Sequence, residues 1–95
     1  MMTFIARMKI KPEMETEFIR LARELERHVH ANEPDTLYYE FFRLREDLSF
    51  AVIEKFTDEA AEEAHQNTPY FKELAPPLIE CLDGTYVREY LDPLD

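Results

Sequence analysis

The sequence predicts one α+β domain, in which a four-stranded antiparallel sheet carries helices on one face. Three observations lead to this prediction: an alternating segment opens the chain, a long helical stripe follows it, and three further strands enclose a pair of short helices. The order is therefore βαββαβ, and short connections with right-handed crossovers favour this sheet. At 95 residues the chain is expected to form a single domain, 1–95.

The first strand and the first helix come from two different periodicities. Apolar side chains alternate from Met2 to Lys11, and a period of two predicts a strand. Pro12 ends this strand because proline lacks an N–H group for the ladder, yet it can open a helix. The helix is predicted from Glu13 to about Ala31 by an apolar stripe, whose members are Met14, Phe18, Leu21, Ala22, Leu25 and Val29.

Three later segments alternate in the same way and predict the remaining strands. They are Thr36–Arg45, Leu48–Phe56 and Thr85–Leu91. A tight turn at residues 46–47 joins the first two, and Asp83-Gly84 predicts the turn before the last. The second strand carries aromatic rings on both faces, at Tyr38, Tyr39, Phe41 and Phe42.

Aromatic groups on both faces are typical of a strand that is covered on both sides. Helices on one face would leave the other face of the sheet bare, and 45% of the residues are hydrophobic. We therefore expect a second copy of the chain to cover that face. The predicted assembly is a homodimer through sheet faces with a barrel-like core.

A pair of short helices is predicted between the third and fourth strands. Thr68-Pro69 indicates the start of the second helix, since threonine caps free N–H groups and proline suits the first helical position. Pro76-Pro77 should end or kink this helix near Ala75. His65 is then expected at the joint between the helices, close behind the ring of Phe56.

Composition disfavours nucleic acid and membranes as partners. The formal net charge is −10, with 21 acidic and 11 basic residues, so binding of nucleic acid is disfavoured. The single cysteine, Cys81, cannot form an internal disulfide and suits the reducing cytoplasm. No apolar run suggests a signal peptide or approaches the length of a membrane span, so no membrane partner is expected.

No motif indicates a metal or a cofactor. His28 and His30 lie on the predicted helix, where a spacing of two points them nearly opposite ways. There is no paired-cysteine or H-E-x-x-H motif and no glycine-rich phosphate loop. We therefore expect neither a metal site nor a nucleotide or flavin.

The element order and the helix joint resemble those of a known family. The residues that carry the resemblance are segment 33–40, which enters the second strand, and a downstream set of Glu54, Phe56, Ala61, His65, Thr68, Pro69, Phe71 and Lys72. With these the chain resembles the antibiotic biosynthesis monooxygenase superfamily of dimeric ferredoxin-like α/β barrels. That superfamily includes cofactor-free monooxygenases of quinols and polycyclic phenols, haem-degrading enzymes and enzymes that process a phosphorylated signalling sugar.

The sequence departs from the family pattern at several positions. Phe56 stands where members often have tryptophan, and Asp35 stands where they often have glycine. The haem-degrading branch uses an asparagine in the first strand and a histidine in the last helix. The matching positions here are Arg7 and about Ala75, which argues against haem ligation by that route.

His65 and Tyr70 are the candidate catalytic residues. The resemblance points to His65, and imidazole suits a general base or a hydrogen-bond donor to a substrate oxygen. The alternative is a structural histidine bonded to a carbonyl or to Glu54. Tyr70 could place its hydroxyl in the same cavity, or be a partly buried aromatic with a solvated tip.

The candidate substrate-binding residues are two charged residues of the strands, Glu54 and Arg7, and three aromatic residues. Glu54 lies on a mostly apolar strand face, so it must pair with a base or shift its pKa. Its possible partners are Arg7, Arg43 and Arg88, which could instead bind an anionic substrate oxygen. Phe4, Phe50 and Phe56 could wall a pocket for a flat ring, or be ordinary core residues.

Three functions fit this pattern. The leading hypothesis is a cytoplasmic, cofactor-independent monooxygenase that oxidises a small phenolic or quinol-type compound with O2, with His65 as base or donor. The second is an isomerase or processing enzyme for a small dicarbonyl or phosphorylated sugar, and anaerobic turnover would separate the two. The third is a non-catalytic dimer that binds a small apolar ligand, which a His65 bonded wholly to backbone would favour.

Overall fold

The computed structural model describes residues 1–95 and has a four-stranded antiparallel sheet in the order β2-β3-β1-β4, with the helices on one face. This confirms the predicted βαββαβ fold. No helix combines the length and the apolar character needed to cross a bilayer. The elements are β1 (Met2–Lys9), a 3-10 turn (Pro12–Met14), α1 (Glu15–Asn32), β2 (Thr36–Arg43), β3 (Ser49–Phe56), α2 (Glu59–Gln66), α3 (Pro69–Glu80) and β4 (Val87–Tyr90).

The core lies between the inner face of the sheet and helices α1 and α3. The predicted stripe of α1 is buried at five positions: Phe18, Leu21, Ala22, Leu25 and Val29. Phe18 packs on Phe50 with ring centroids 5.0 Å apart and meets Phe41 edge-on at 5.9 Å. Burying these rings supplies much of the hydrophobic free energy of so small a domain.

Helix α3 continues past Pro76-Pro77 to Glu80, so of the two predicted effects, an end or a kink near Ala75, the end does not occur. Each proline removes one backbone N–H group, which leaves the carbonyls of Lys72 and Glu73 without an intrahelical donor. Both of these residues are exposed, so water can bond the two carbonyls. The buried face of α3 consists of Leu74, Ala75 and Leu78. The free energy gained by burying this face outweighs the tendency of proline to end a helix.

The strand register places one row of side chains across the inner face of the sheet. Glu54 in β3 lies opposite Tyr39 in β2 on one side and opposite Phe4 in β1 on the other. Phe4 in turn pairs with Tyr90 in β4. The next inner row along the sheet consists of Phe41, Val52, Ala6 and Arg88. These two rows form the floor under α2 and α3.

The outer face of the sheet carries both charged and apolar side chains. Arg7 lies on this face because it is three residues from the inner-facing Phe4 in the same strand, and side chains alternate between the two faces. Its guanidinium bonds Glu89 at 2.7 Å. Tyr38, Phe42 and Val87 are exposed there. This is the face that the sequence predicts a second copy would cover.

Helix α2 is short but capped at its start. The side chain of Asp58 accepts a hydrogen bond of 2.9 Å from the backbone N–H of Ala61. Such a cap stabilises a helix by about 1 kcal/mol. The next cap is Thr68, whose hydroxyl accepts a hydrogen bond from the Phe71 N–H group. The two caps fix where α2 and α3 begin, and so fix the joint that carries His65.

Candidate active site

His65 lies in the last turn of α2 and is 2% exposed. Three aromatic rings surround its imidazole: Tyr39, Phe56 and Phe71, with centroids 5.1, 5.5 and 4.7 Å away. The Thr68 hydroxyl donates to the carbonyl oxygen of His65 at 2.9 Å. The predicted position at the helix joint, behind Phe56, is confirmed.

Glu33 orients the imidazole. Nδ1 of His65 lies 3.0 Å from each carboxylate oxygen of Glu33. The hydroxyls of Thr36, at 2.6 Å, and of Tyr70 also donate to this carboxylate. Because a carboxylate only accepts hydrogen bonds, we assign the ring hydrogen to Nδ1. Nε2 is then left to face the opposite direction.

Glu33 is the residue of the candidate site that sequence reasoning missed. It follows α1 in a segment whose asparagine, proline and aspartate indicate only the end of a helix. Its contact with His65 spans 32 residues of chain. The only signal was its place in segment 33–40, which carries the family resemblance.

Nε2 of His65 faces Glu54, with Oε1 4.0 Å away. Burial raises the pKa of Glu54 to about 8; Arg88 opposes that rise, while Glu62 and Glu33 add to it. The predicted arginine partners do not pair with this carboxyl group. They bond elsewhere, in the pairs Arg7–Glu89, Arg43–Glu15 and Arg88–Glu62.

A largely apolar cavity of about 120 Å³ lies between the sheet floor and the helix pair. His65 and Glu54 both line it, and twelve of its seventeen lining residues are hydrophobic. In so apolar a site, an electrostatic contact is stronger than it would be in water. The aromatic part of the wall comes from Tyr39, Phe41, Phe71 and Tyr86.

Arg88 supplies the positive charge of the cavity. Its guanidinium lies 3.8 Å from the centroid of the Phe4 ring and bonds Glu62 at 2.9 Å. Both stacking on a ring and pairing with a carboxylate suit arginine. Arg88 is the one arginine that lines the cavity.

The predicted aromatic wall is different from the observed one. Phe4, Phe50 and Phe56 do not line the cavity. Phe4 lies beneath Arg88, Phe56 lies behind the imidazole, and Phe50 packs on Phe18 in another part of the core. The strand faces were predicted correctly, but position along each strand decides which rings border the cavity.

Tyr70 is brought close to His65 but not into the cavity. Its hydroxyl donates to Glu33, and its ring stacks on His28 at 4.9 Å with an interplanar angle of 12°. Burial, followed by the bond to Glu33, raises the pKa of Tyr70 above its ordinary value. Tyr70 is therefore a neutral donor that holds the carboxylate behind the imidazole.

Across the chain, no three histidine, cysteine or acidic side chains converge as a metal site would require.

The chain is similar to several known proteins. The family model described as antibiotic biosynthesis monooxygenase matches residues 1–76. A Bacillus subtilis (strain 168) protein named "Putative monooxygenase YcnE" is 36% identical over 72 residues, which is 76% of each chain.

Two solved structures give the same result in three dimensions. The structure of a "putative antibiotic biosynthesis monooxygenase" from Caulobacter crescentus CB15 has a TM-score of 0.91 at 30% identity. The match covers 99% of this chain and 90% of the Caulobacter chain. The Pseudomonas aeruginosa protein PA3566 has a TM-score of 0.85 at 29% identity, with coverages of 99% and 94%. The family model over residues 1–76, the 36% identical relative and these structures show that the chain belongs to the antibiotic biosynthesis monooxygenase family.

Proposed function

We propose that the protein is a cytoplasmic, cofactor-independent monooxygenase that oxidises a small phenolic or quinol-type compound with O2. Family membership supports a monooxygenase-type role. One observation carries the proposal: Nε2 of His65 is a basic atom on the wall of an apolar cavity, and Glu33 fixes its orientation from behind.

The size of the cavity favours a single-ring substrate. An apolar cavity of roughly 150 Å³ in another protein binds benzene. The cavity beside His65 measures about 120 Å³. A monocyclic phenol or hydroquinone therefore fits better than the polycyclic phenols on which other members of the superfamily act.

His65 would start the reaction by removing a proton. The ring hydroxyl donates to Nε2, and the hydrogen bond from Nδ1 to Glu33 stabilises the imidazolium that forms. The resulting phenolate is electron-rich and can reduce O2 without a cofactor. In the net reaction one oxygen atom enters the substrate, the other leaves as water, and the substrate loses two hydrogens.

Oxygen uptake tests this proposal. Wild type is expected to consume O2 with monocyclic hydroquinones and more slowly with a tricyclic anthrone. His65→Ala should lower turnover at least about 100-fold, because general-base catalysis contributes at least that much. Glu63→Ala, a change at an exposed position of the same helix outside the cavity, should keep wild-type turnover. Equal turnover by His65→Ala would remove this residue from the mechanism.

Arg88 favours one other candidate function, the isomerisation of a small dicarbonyl or phosphorylated sugar. Its guanidinium lines the cavity and could hold an enolate or phosphoryl oxygen. Such a reaction needs no O2, so turnover in anaerobic buffer would favour it. A non-catalytic binding role is less well supported, because the imidazole bonds a carboxylate rather than backbone.

We also propose that a second copy covers the outer face of the sheet. Tyr38, Phe42 and Val87 would otherwise remain exposed there. Light scattering is expected to give a mass twice the 11.4 kDa of the chain. Val87→Glu would bury a charge in that interface and should shift the mass to that of one chain, whereas Leu94→Glu, on a fully exposed side chain, should not. A monomeric wild type would contradict the proposal.

A further inference from the structure

The gap between His65 and Glu54 is the least explained feature of the site. Nε2 and Oε1 are 4.0 Å apart, which is too long for a hydrogen bond. Both residues border the cavity. The Glu54 carboxyl group has no hydrogen-bond partner in the protein. Since the protein has no fully buried side-chain oxygen without a partner, the Glu54 oxygens must be open to the cavity.

We propose that one hydroxyl oxygen of the substrate bridges Nε2 and Oε1 from the cavity side, donating its hydrogen to Nε2 of His65 and accepting a hydrogen bond from the neutral carboxyl group of Glu54. Glu54 is then a second catalytic residue, which selects a ring hydroxyl and later supplies a proton. This inference rests on the proposed function, since it names which group of the phenol is recognised and how.

The surroundings of Glu54 keep its carboxyl group protonated. The group is buried on the sheet floor beside the ring of Tyr39 from β2. Arg88 of β4 favours ionisation, but Glu62 of α2 cancels much of that charge by pairing with it. Glu33, behind His65, adds a second negative charge. Burial together with these two acidic side chains raises the pKa of Glu54 to about 8.

A hydroxyl is the group that fits this pair. It can donate and accept at the same time, whereas a methyl ether or a carbonyl only accepts. Nε2 needs a donor, because the ring hydrogen lies on Nδ1. The neutral carboxyl group of Glu54 needs an acceptor. An ether in this position would leave Nε2 without a partner in an apolar site.

The proton transfers balance over one turnover. The phenol O–H bond breaks as the Nε2–H bond forms, and the phenolate passes one electron to O2. The superoxide and the ring radical then combine through a new C–O bond, and the peroxide anion takes the proton of Glu54. Next the O–O bond breaks as the same ring carbon loses its hydrogen to the Glu54 carboxylate. The departing hydroxide takes the proton from His65, so the products are an ortho-quinone and water.

The test uses 4-nitrophenol, whose electron-poor ring resists oxidation and whose phenolate absorbs visible light. In buffer below the pKa of the free phenol, wild type is expected to bind it as the phenolate. 4-Nitroanisole, the methyl ether, should bind at least about tenfold more weakly. His65→Gln should remove the phenolate absorbance of the bound ligand.

Two substitutions separate the roles of Glu54. Glu54→Gln keeps an N–H donor, so it should bind the phenolate within about threefold of wild type yet lower kcat for hydroquinone oxidation at least about 100-fold. Glu54→Leu loses the donor and should bind the phenolate at least about tenfold more weakly. Thermal unfolding of both variants checks that they are folded, and the split between intact binding and lost kcat would not arise from a structural role.

The outcomes distinguish this inference from the proposed function. Phenolate binding that depends on Glu54, without O2 uptake from any hydroquinone, supports the hydroxyl site and rejects the oxygenase. Full turnover by Glu54→Gln rejects the inference and leaves the oxygenase. Failure of wild type to bind 4-nitrophenol, or equal binding by Glu54→Leu, also overturns it.

Discussion

Glu54→Gln is expected to be more stable than wild type at about pH 9 and to lose that advantage towards about pH 4. Burial raises the pKa of Glu54 from 4.5 to about 8. When the pKa of a group differs by one between the folded and unfolded chain, the free energy of unfolding changes by about 1.4 kcal/mol. The advantage of the variant at high pH should therefore reach several kcal/mol, a large part of the stability of a small domain.

The sign follows from which state holds the proton. Below about pH 4.5 the carboxyl group is protonated in both the folded and the unfolded chain, so Glu54 contributes no pH dependence. Between about pH 4.5 and pH 8 the unfolded chain releases this proton and the folded chain keeps it. The free energy of unfolding of wild type therefore falls as pH rises through this window. Glutamine has no proton to lose.

Urea unfolding at a series of pH values checks this prediction. The difference in unfolding free energy between Glu54→Gln and wild type isolates Glu54 from all other titrating groups. Glu63→Gln makes the same chemical change at an exposed position of α2 and should give a flat difference. A flat difference for Glu54→Gln would mean that its carboxyl group is solvated.

Glu33→Ala is expected to lower the free energy of unfolding by about 1–3 kcal/mol, the usual cost of leaving a buried hydrogen-bond donor without its acceptor. The change leaves Nδ1 of a 2% exposed His65 without an acceptor. The hydroxyls of Thr36 and Tyr70 lose the same acceptor. Turnover should fall with stability, because nothing would then hold Nε2 towards the cavity.

Chemical denaturation at neutral pH measures this effect. Glu63→Ala removes an exposed carboxylate and should stay within about 0.5 kcal/mol of wild type. Glu33→Gln keeps one oxygen that can accept from Nδ1, so it should recover part of the lost stability. If Glu33→Ala were as stable as wild type, the hydrogen bonds around Glu33 would have no energetic weight.

Much of the fold follows from patterns that are local in the chain. The alternation through β1 and the apolar stripe of α1 each depend on which face a side chain occupies. The start of α3 at Thr68-Pro69 is also a local feature, because the capping side chain bonds only the first turn of its own helix. Its end is not local, because packing carries the helix through Pro76-Pro77.

The position of His65 at a joint was predictable, but its chemistry was not. That position depends on the helix start at Thr68-Pro69, which is visible in the sequence. The acceptor behind it and the acid in front of it come from Glu33 and Glu54, which other elements supply. Sequence reasoning named Glu54 for its apolar surroundings, but its possible arginine partners pair with other carboxylates in the structure.

The sequence by itself therefore determined the order of strands and helices, the inner and outer faces of the sheet, and the histidine at the helix joint. Only the tertiary structure decided that Glu33, His65 and Glu54 form a line into one apolar cavity, and that Tyr39, Phe41 and Phe71 wall it. The physical reason is range: periodicity and capping act within a few residues. The line of side chains depends instead on strand register and helix packing, which join residues far apart in the chain.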